Sequence, residues 1–227
     1  MKMIELSARM QALVNMVSQG SVVSDVGCDH GWVSIYLVQK GIADKVYAMD
    51  VRTGPLERAK EHIARYQLEE SIETRLSDGL SNLTVGEADC MICAGMGGPL
   101  MMKILTEGRE KAKVMKELIL QPQSELAMFR RFLREEGYKI VAEDMVLEDG
   151  KFYPMMKVEP VEKQENLNLS VEEQQLWDAY GEYLLKGKHP VLKQYLLKGK
   201  EQAESLLQHL KEKGTASERV LQLQEEL

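Results

Sequence analysis

The chain has 227 residues, 44% apolar and 29% charged, a balance that suits one sizeable core with an appendage and excludes global disorder. No apolar run nears the roughly 20 residues of a membrane-spanning helix, and the N-terminal "MKMIELSARMQALVNMV" carries Glu5 and no cleavage site, unlike a secretory signal. The net charge of −7 argues against a uniformly basic nucleic-acid binder, and three cysteines, an odd number, point to a reducing, cytoplasmic setting.

In chain order, the amphipathic opening is followed by the strand-like "SVVSDVG" (21–27) and "KVYAMD" (45–50). "PLERAKEHIARYQL" (55–68) has helical spacing, "SIETRL" (71–76) and "DCMICA" (89–94) read as strands, and "GPLMMKILTEGREKA" (98–112) as a helix. "ELILQP" (117–122) is a fifth strand, and "SELAMFRRFLREEGY" (124–138) a helix with Ser124 as its expected N-cap. "KIVAEDMVLED" and "KFYPMMKVEPV" meet through Gly150 as an antiparallel edge hairpin. Strand and helix alternating at this pitch predict an α/β fold with a mostly parallel sheet covered on both faces. From Val171 onward nearly every residue favours helix, which predicts two long helices and a short tail packed as a hairpin. The spacing of Cys90 and Cys93 in "CMIC" suits a metal or redox pair, but no second pair or nearby histidine accompanies it, so no metal is expected.

In such a sheet, ligands bind at the carboxyl ends of the strands. The turn after the first strand reads "SDVGCDHGW" (24–32), with Gly27 and Gly31 but also Asp25, Asp29 and His30. Asp29 stands where a dinucleotide-binding turn needs its second glycine, and a carboxylate there repels pyrophosphate. A ligand without phosphate but with positive groups fits instead, and S-adenosylmethionine carries an ammonium and a sulfonium. Asp50 ends the second strand, 23 residues beyond Gly27, where it can accept both ribose hydroxyls. Asp78 ends the third strand, where it can accept the adenine amino group. The neighbours Cys28, Val51, Gly79 and Ala94 are assigned to the same donor site. After the fourth strand, "AGMGGPL" lacks the [DN]-P-P-[YFW] clamp used on exocyclic amines. A glycine loop suits a ring nitrogen that already has a lone pair and needs placement more than a base.

"DVGCDHGW", "AGMGG", "LILQPQ" and "GKFY", in this order before a helical tail, resemble the bacterial tRNA (adenine-22-N1)-methyltransferases. That resemblance implies a Rossmann-like methyltransferase domain over residues 1–161 and a coiled-coil-like helical domain over 162–227. It also implies methyl transfer from S-adenosylmethionine to N1 of an adenine in tRNA. By position it puts Gly95, Met96, Gly97 and Gly98 around the methyl-transfer pocket, with His30 as a candidate for catalysis. Gln121, Pro122 and Gln123 would meet a base edge, and Phe152 and Tyr153 would stack on a flipped adenine. Leu184 to Lys200 contains five lysines and no acid, so Lys193, Lys198 and Lys200 are candidates for phosphate contact. A monomer is expected. Two alternatives remain open at this stage: a small-molecule methyltransferase of the same fold, and a non-catalytic RNA-binding protein.

Overall fold

The computed structural model describes residues 3–162 and 169–212. Helix α1 (Ala8–Asn15) leads into β1 (Ser21–Val26), α2 (Trp32–Gln39), β2 (Ala43–Asp50), α3 (Thr53–Arg65) and β3 (Ile72–Leu76). Next come β4 (Cys90–Met96), α4 (Gly98–Glu107), α5 (Arg109–Ala112), β5 (Glu117–Pro122), α6 (Leu126–Glu135), β6 (Tyr138–Glu148) and β7 (Lys151–Pro160). Strands run in the order β3-β2-β1-β4-β5-β7-β6. The first five are mutually parallel, and β7 is antiparallel to both β5 and β6. The order reverses between β1 and β4, which opens a crevice at their carboxyl ends.

Apolar alternation decides which face each strand residue serves. Val23, Ile92, Ile119 and Met155 pack under α1, α2 and α3, while Met91, Leu118, Leu120 and Met156 pack under α4 and α6. Cys90 belongs to the first layer and Cys93 to the second, so the two thiols of "CMIC" diverge and form no pair. Burial pushes the Cys93 thiol up to about 12, as expected of an inert core cysteine. The β6–β7 hairpin turns at Asp149 and Gly150, both with positive φ, the backbone that a two-residue Asp-Gly turn adopts.

Three local expectations change. The segment 98–112 is two helices, because Gly108 packs so tightly on Leu80 that the chain turns there; a Cβ at Gly108 would stand 2.7 Å from Leu80 Cδ1. Ser124 is not the cap of α6. Glu125 takes that place at φ +54°, and Ser124 Oγ accepts the Gly98 amide instead, at 3.3 Å. The helix expected from Val171 breaks at Gly181 (φ +91°) into α7 (Val171–Tyr180) and α8 (Glu182–Lys186), followed by α9 (Pro190–Glu212). The expected tail after Gly214 lies outside the described residues.

These helices dock on α6 and β6 through buried charge. Arg130 is 3% exposed; its Nε donates to Glu143 Oε1 at 2.9 Å and its Nη1 to the carbonyls of Asp178 and Ala179. Arg134 grips the Asp178 carboxylate at 2.6 Å, and the Tyr183 amide donates to Glu143 Oε2 at 3.1 Å. The break at Gly181 follows from this arrangement, since a Cβ there would sit 2.5 Å from either Glu143 oxygen. Met145, Leu184 and Leu192 add a small apolar cluster beside the polar network.

Candidate donor and methyl-transfer site

Two adjoining cavities occupy the crevice. One, of about 470 Å³, runs along the strand tips past Ser77, Asp78, Asp50 and Gly27 to Ala94, Gly95, Met96 and Gln123. The other, of about 570 Å³, lies between the N-terminal segment and α2, with Trp32 and Tyr66 as an aromatic wall. Met10, Gly27, Asp29 and Ala94 border both. Three carboxylates therefore stand in the order Asp78, Asp50, Asp29 along the tips of β3, β2 and β1.

The turn between β1 and α2 is built by backbone rather than by side-chain packing. Gly27 has φ +78°, and a Cβ on it would run into Met96 Cε, inside the crevice. The amides of Gly27 and Cys28 both donate to the Met49 carbonyl, which ties the turn to β2. Asp29 adopts φ 49°, a left-handed conformation that aspartate tolerates better than most residues. Asp50 is 5% exposed; Oδ1 accepts the Arg52 amide at 2.9 Å and Oδ2 faces the Asp29 amide at 3.4 Å. It thus aligns two loops while presenting a carboxylate to the cavity. Asp78 is exposed, and Val51 and Gly79 line the wall beside it.

Asp25 lies deeper, with Ser34 Oγ donating to it at 2.6 Å. Burial is the main cause that pushes its carboxyl up to about 6; the Ser34 hydrogen bond opposes this and the charge of Asp50 adds to it. Cys28 is buried in the turn, and burial, reinforced by the surrounding aspartates, drives its thiol well up. His30 stands at the rim of the larger cavity, its Nε2 3.5 Å from Asp29 Oδ2 and its carbonyl 2.9 Å from His62 Nδ1. It borders only the larger of the two cavities, whereas Gly95 and Met96 border the smaller. Trp32 stacks on His62 with ring centres 4.1 Å apart.

The glycine loop divides by role. Gly95 and Met96 line the smaller cavity, whereas Gly97 and Gly98 line neither. Gly98 lets the β5–α6 loop approach; a Cβ on it would be 2.5 Å from the Ser124 carbonyl. Gln121 and Pro122 are buried in β5, and the Gln121 amide donates to the Pro122 carbonyl at 3.2 Å. Full burial removes both from direct contact with a base, and Gln123, exposed and on the cavity wall, is the member of the trio that can make it. Phe152 points away to α9, its ring 5.2 Å from Tyr195 and under Lys198, so it joins the hairpin to the helices. Tyr153 lies under the guanidinium of Arg9. Lys193 is exposed and Lys200 is 3.8 Å from Glu204.

Sequence reasoning missed the N-terminal contribution. Arg9, Met10 and residues 3–7 wall the two cavities, because Glu148 at the end of β6 accepts the Arg9 amide at 3.0 Å and the Ser7 hydroxyl at 3.2 Å, pinning α1 to the hairpin. The amphipathic pattern of this segment announced a packed helix, but nothing in it told which crevice the helix would border.

The residues fit S-adenosylmethionine on the chemistry of the donor set: carboxylates for hydroxyl and ammonium groups, no cation in the turn to hold a phosphate, and a bare backbone where a side chain would fill the space. The comparisons agree. Residues 6–156 match the family model for a methyltransferase domain. A Bacillus subtilis protein named tRNA (adenine(22)-N(1))-methyltransferase is 35% identical over 159 residues, 70% of this chain and 67% of that one. The crystal structure of the B. subtilis m1A22 tRNA methyltransferase superposes with a TM-score of 0.82 at 27% identity, covering 98% of this chain and 97% of that one. A Streptococcus pneumoniae protein solved in complex with S-adenosyl-L-methionine gives a TM-score of 0.81 at 32% identity, covering 97% and 99%. With its acid-lined crevice, its sheet order and these similarities along its length, the chain belongs to the family of the tRNA (adenine(22)-N(1))-methyltransferases.

Proposed function

We propose that this protein transfers a methyl group from S-adenosylmethionine to N1 of adenine 22 in tRNA. The observation that carries the reading is the sequence of groups along the strand tips. Asp78, Asp50 and the Gly27–Asp29 turn suit adenine, ribose and the cationic methionine end in that order, and the next strand tip offers the open Gly95–Met96 wall. S-adenosylmethionine supplies the methyl group, its sulfonium becoming a neutral thioether. Adenine N1 brings its own lone pair, so the residues around Gly95 have to exclude water and align the base, and no proton has to be removed. Gln123 supports base recognition, since its exposed amide borders the cavity.

In this reading residues 1–161 form the donor-binding unit, and α7, α8 and α9 support the tRNA grip through Lys193, Lys198 and Lys200, while residues 163–168 and 213–227 of the expected second unit lie outside the described residues. The protein acts in the cytoplasm as a monomer with tRNA as its macromolecular partner. No helix of the described residues is long and apolar enough to cross a membrane. The expected product, 1-methyladenosine and no N6-methyladenosine, is checked by nucleoside analysis of tRNA after neutral digestion, since alkali rearranges the first into the second. Appearance of the N6 product under neutral conditions would refute the ring-nitrogen assignment.

Asp25 gives the donor site a pH dependence. Its carboxyl, held up near 6 by burial, is protonated in the free protein at pH 5 and ionised at pH 7. A cationic donor favours the ionised form, so binding below pH 6 must displace a proton. Affinity for S-adenosylhomocysteine, which keeps the ammonium, should rise several-fold, up to about tenfold, from pH 5 to pH 7. Asp25→Asn should bind more weakly and flatten the profile. The stability effect has the opposite sense: because the folded pKa lies above the unfolded value of 3.8, the contribution of Asp25 is full below about pH 4 and is lost as the pH rises through 6. Calorimetric titrations at three pH values check this, and an equally steep profile in Asp25→Asn would contradict it.

A further inference from the structure

Arg9 is a half-buried cation on the wall of the smaller cavity with no carboxylate partner among the described residues. The other guanidiniums of the chain that are buried, half-buried or border this cavity are neutralised locally: Arg75 by Glu73 and Glu87, Arg130 by Glu143, Arg134 by Asp178, and Arg52, on the same cavity, by Asp50 at 3.8 Å. Arg58 and Arg65, by contrast, are exposed to water. Glu148 meets Arg9 through its backbone amide, not its guanidinium, and accepts the Ser7 hydroxyl with its other oxygen. What holds the guanidinium is the ring of Tyr153, with Cζ 4.7 Å from its centre. Such stacking occupies the face of the group and, among the described residues, leaves its edge only one long contact, from Nη2 to the Met10 sulfur at 4.0 Å.

Helix stability does not account for this residue. Arg9 lies in the first turn of α1, where the helix dipole disfavours a cation; α1 has no acid of its own in that turn, and the Glu148 carboxylate already serves the helix N-terminus through the Arg9 amide. Its location along the sheet is more informative. Arg9 Nη2 is 4.0 Å from where a Cβ on Gly95 would stand, and Gln123 Nε2 is 3.8 Å from the same point. This puts the guanidinium over the tips of β4 and β5. Asp78 ends the β3 side, three strand intervals from β4, or roughly 14 Å at about 4.8 Å each. The cation is therefore at the far end of the crevice from the carboxylates that suit adenosine, beside the wall where the acceptor enters. An acid-lined crevice in a chain of net charge −7 repels a polyanion. A nucleotide brought to Gly95 needs a compensating charge there.

We infer that Arg9, braced on Tyr153, binds a phosphodiester oxygen of the target nucleotide and so holds the flipped adenine at the Gly95 wall. A guanidinium edge matches a phosphate with two parallel hydrogen bonds, and this contact would fix the sugar-phosphate while Gln123 meets the base. The inference rests on the tRNA reading, and wild-type protein that methylates no tRNA would refute that reading before any variant is compared.

Full-length Arg9→Gln and Arg9→Lys are tested for tRNA methylation and for S-adenosylhomocysteine binding by calorimetry. Arg9→Gln is expected to lower kcat/KM for tRNA by about 10- to 100-fold, the range of one charge-assisted hydrogen bond. It should reduce the salt slope of tRNA binding by about one unit while leaving the donor-product affinity within about twofold. Arg9→Lys keeps the charge but not the fork and should recover part of the loss. Equal losses in tRNA turnover and in S-adenosylhomocysteine affinity would overturn the inference by placing the guanidinium on the donor's carboxylate. Unchanged kcat/KM in Arg9→Gln would overturn it too, leaving Arg9 a packing partner of Tyr153.

Discussion

Glu143→Ala is expected to lower the melting temperature by roughly 10 °C or more, through a loss of about 3–5 kcal/mol. The carboxylate is buried in an ion pair with the buried Arg130, which has no route to water. Removing it leaves that guanidinium on the Asp178 and Ala179 carbonyls alone and frees the Tyr183 amide that starts α8. The cost falls on the junction between α6, β6 and the C-terminal helices, because these are the elements the network joins. Replacing the pair with apolar residues of similar volume is a separate question, since desolvation offsets much of the Coulomb attraction of a buried pair. Glu159→Ala, at an exposed position on β7, serves as the control and should change little. A melting temperature within about 2 °C of wild type for Glu143→Ala would show that the network contributes little.

Asp50→Ala is expected to weaken binding of S-adenosylmethionine and S-adenosylhomocysteine by about 1–3 kcal/mol, or roughly 5- to 150-fold. Two effects add. On the proposed placement of the donor the mutant loses the charge-assisted hydrogen bonds to the ribose, and it releases the Arg52 and Asp29 amides that the carboxylate now aligns. Asp50→Asn separates them, because the amide oxygen can still accept from a loop amide while the charge is gone. Unchanged affinity in folded Asp50→Ala by calorimetry would remove Asp50 from the donor site.

The placement of the acids at the strand tips was legible because it depends on local chemistry. A strand followed by a turn fixes where Asp50 and Asp78 stand, and glycines at positive φ are where a turn must have them, as Gly27 and Gly150 show. What the sequence concealed depends on contacts across long separations. Arg9 acquires its meaning from Tyr153 and Gly95, and Phe152 turns from a base stacker into a docking residue because Tyr195 is beside it. Gln121 looked equivalent to Gln123, yet Gln121 lies inside β5, which is buried throughout, and Gln123 lies just past its end, where the chain is exposed. The break at Gly181 was hidden for the same reason: the residue that demands it, Glu143, comes 38 positions earlier. Helix propensity alone could not have found it.

The central claim is the identity of the methylated atom, and it has a direct measurement. A methyl group on adenine N1 blocks the Watson–Crick edge and stops reverse transcription one nucleotide before the modified base. Unmodified tRNA incubated with this protein and S-adenosylmethionine should give a donor-dependent stop next to adenine 22, lost when that adenine is replaced by guanine. Methyl incorporation into tRNA without that stop, or a stop that survives the replacement, would contradict the account.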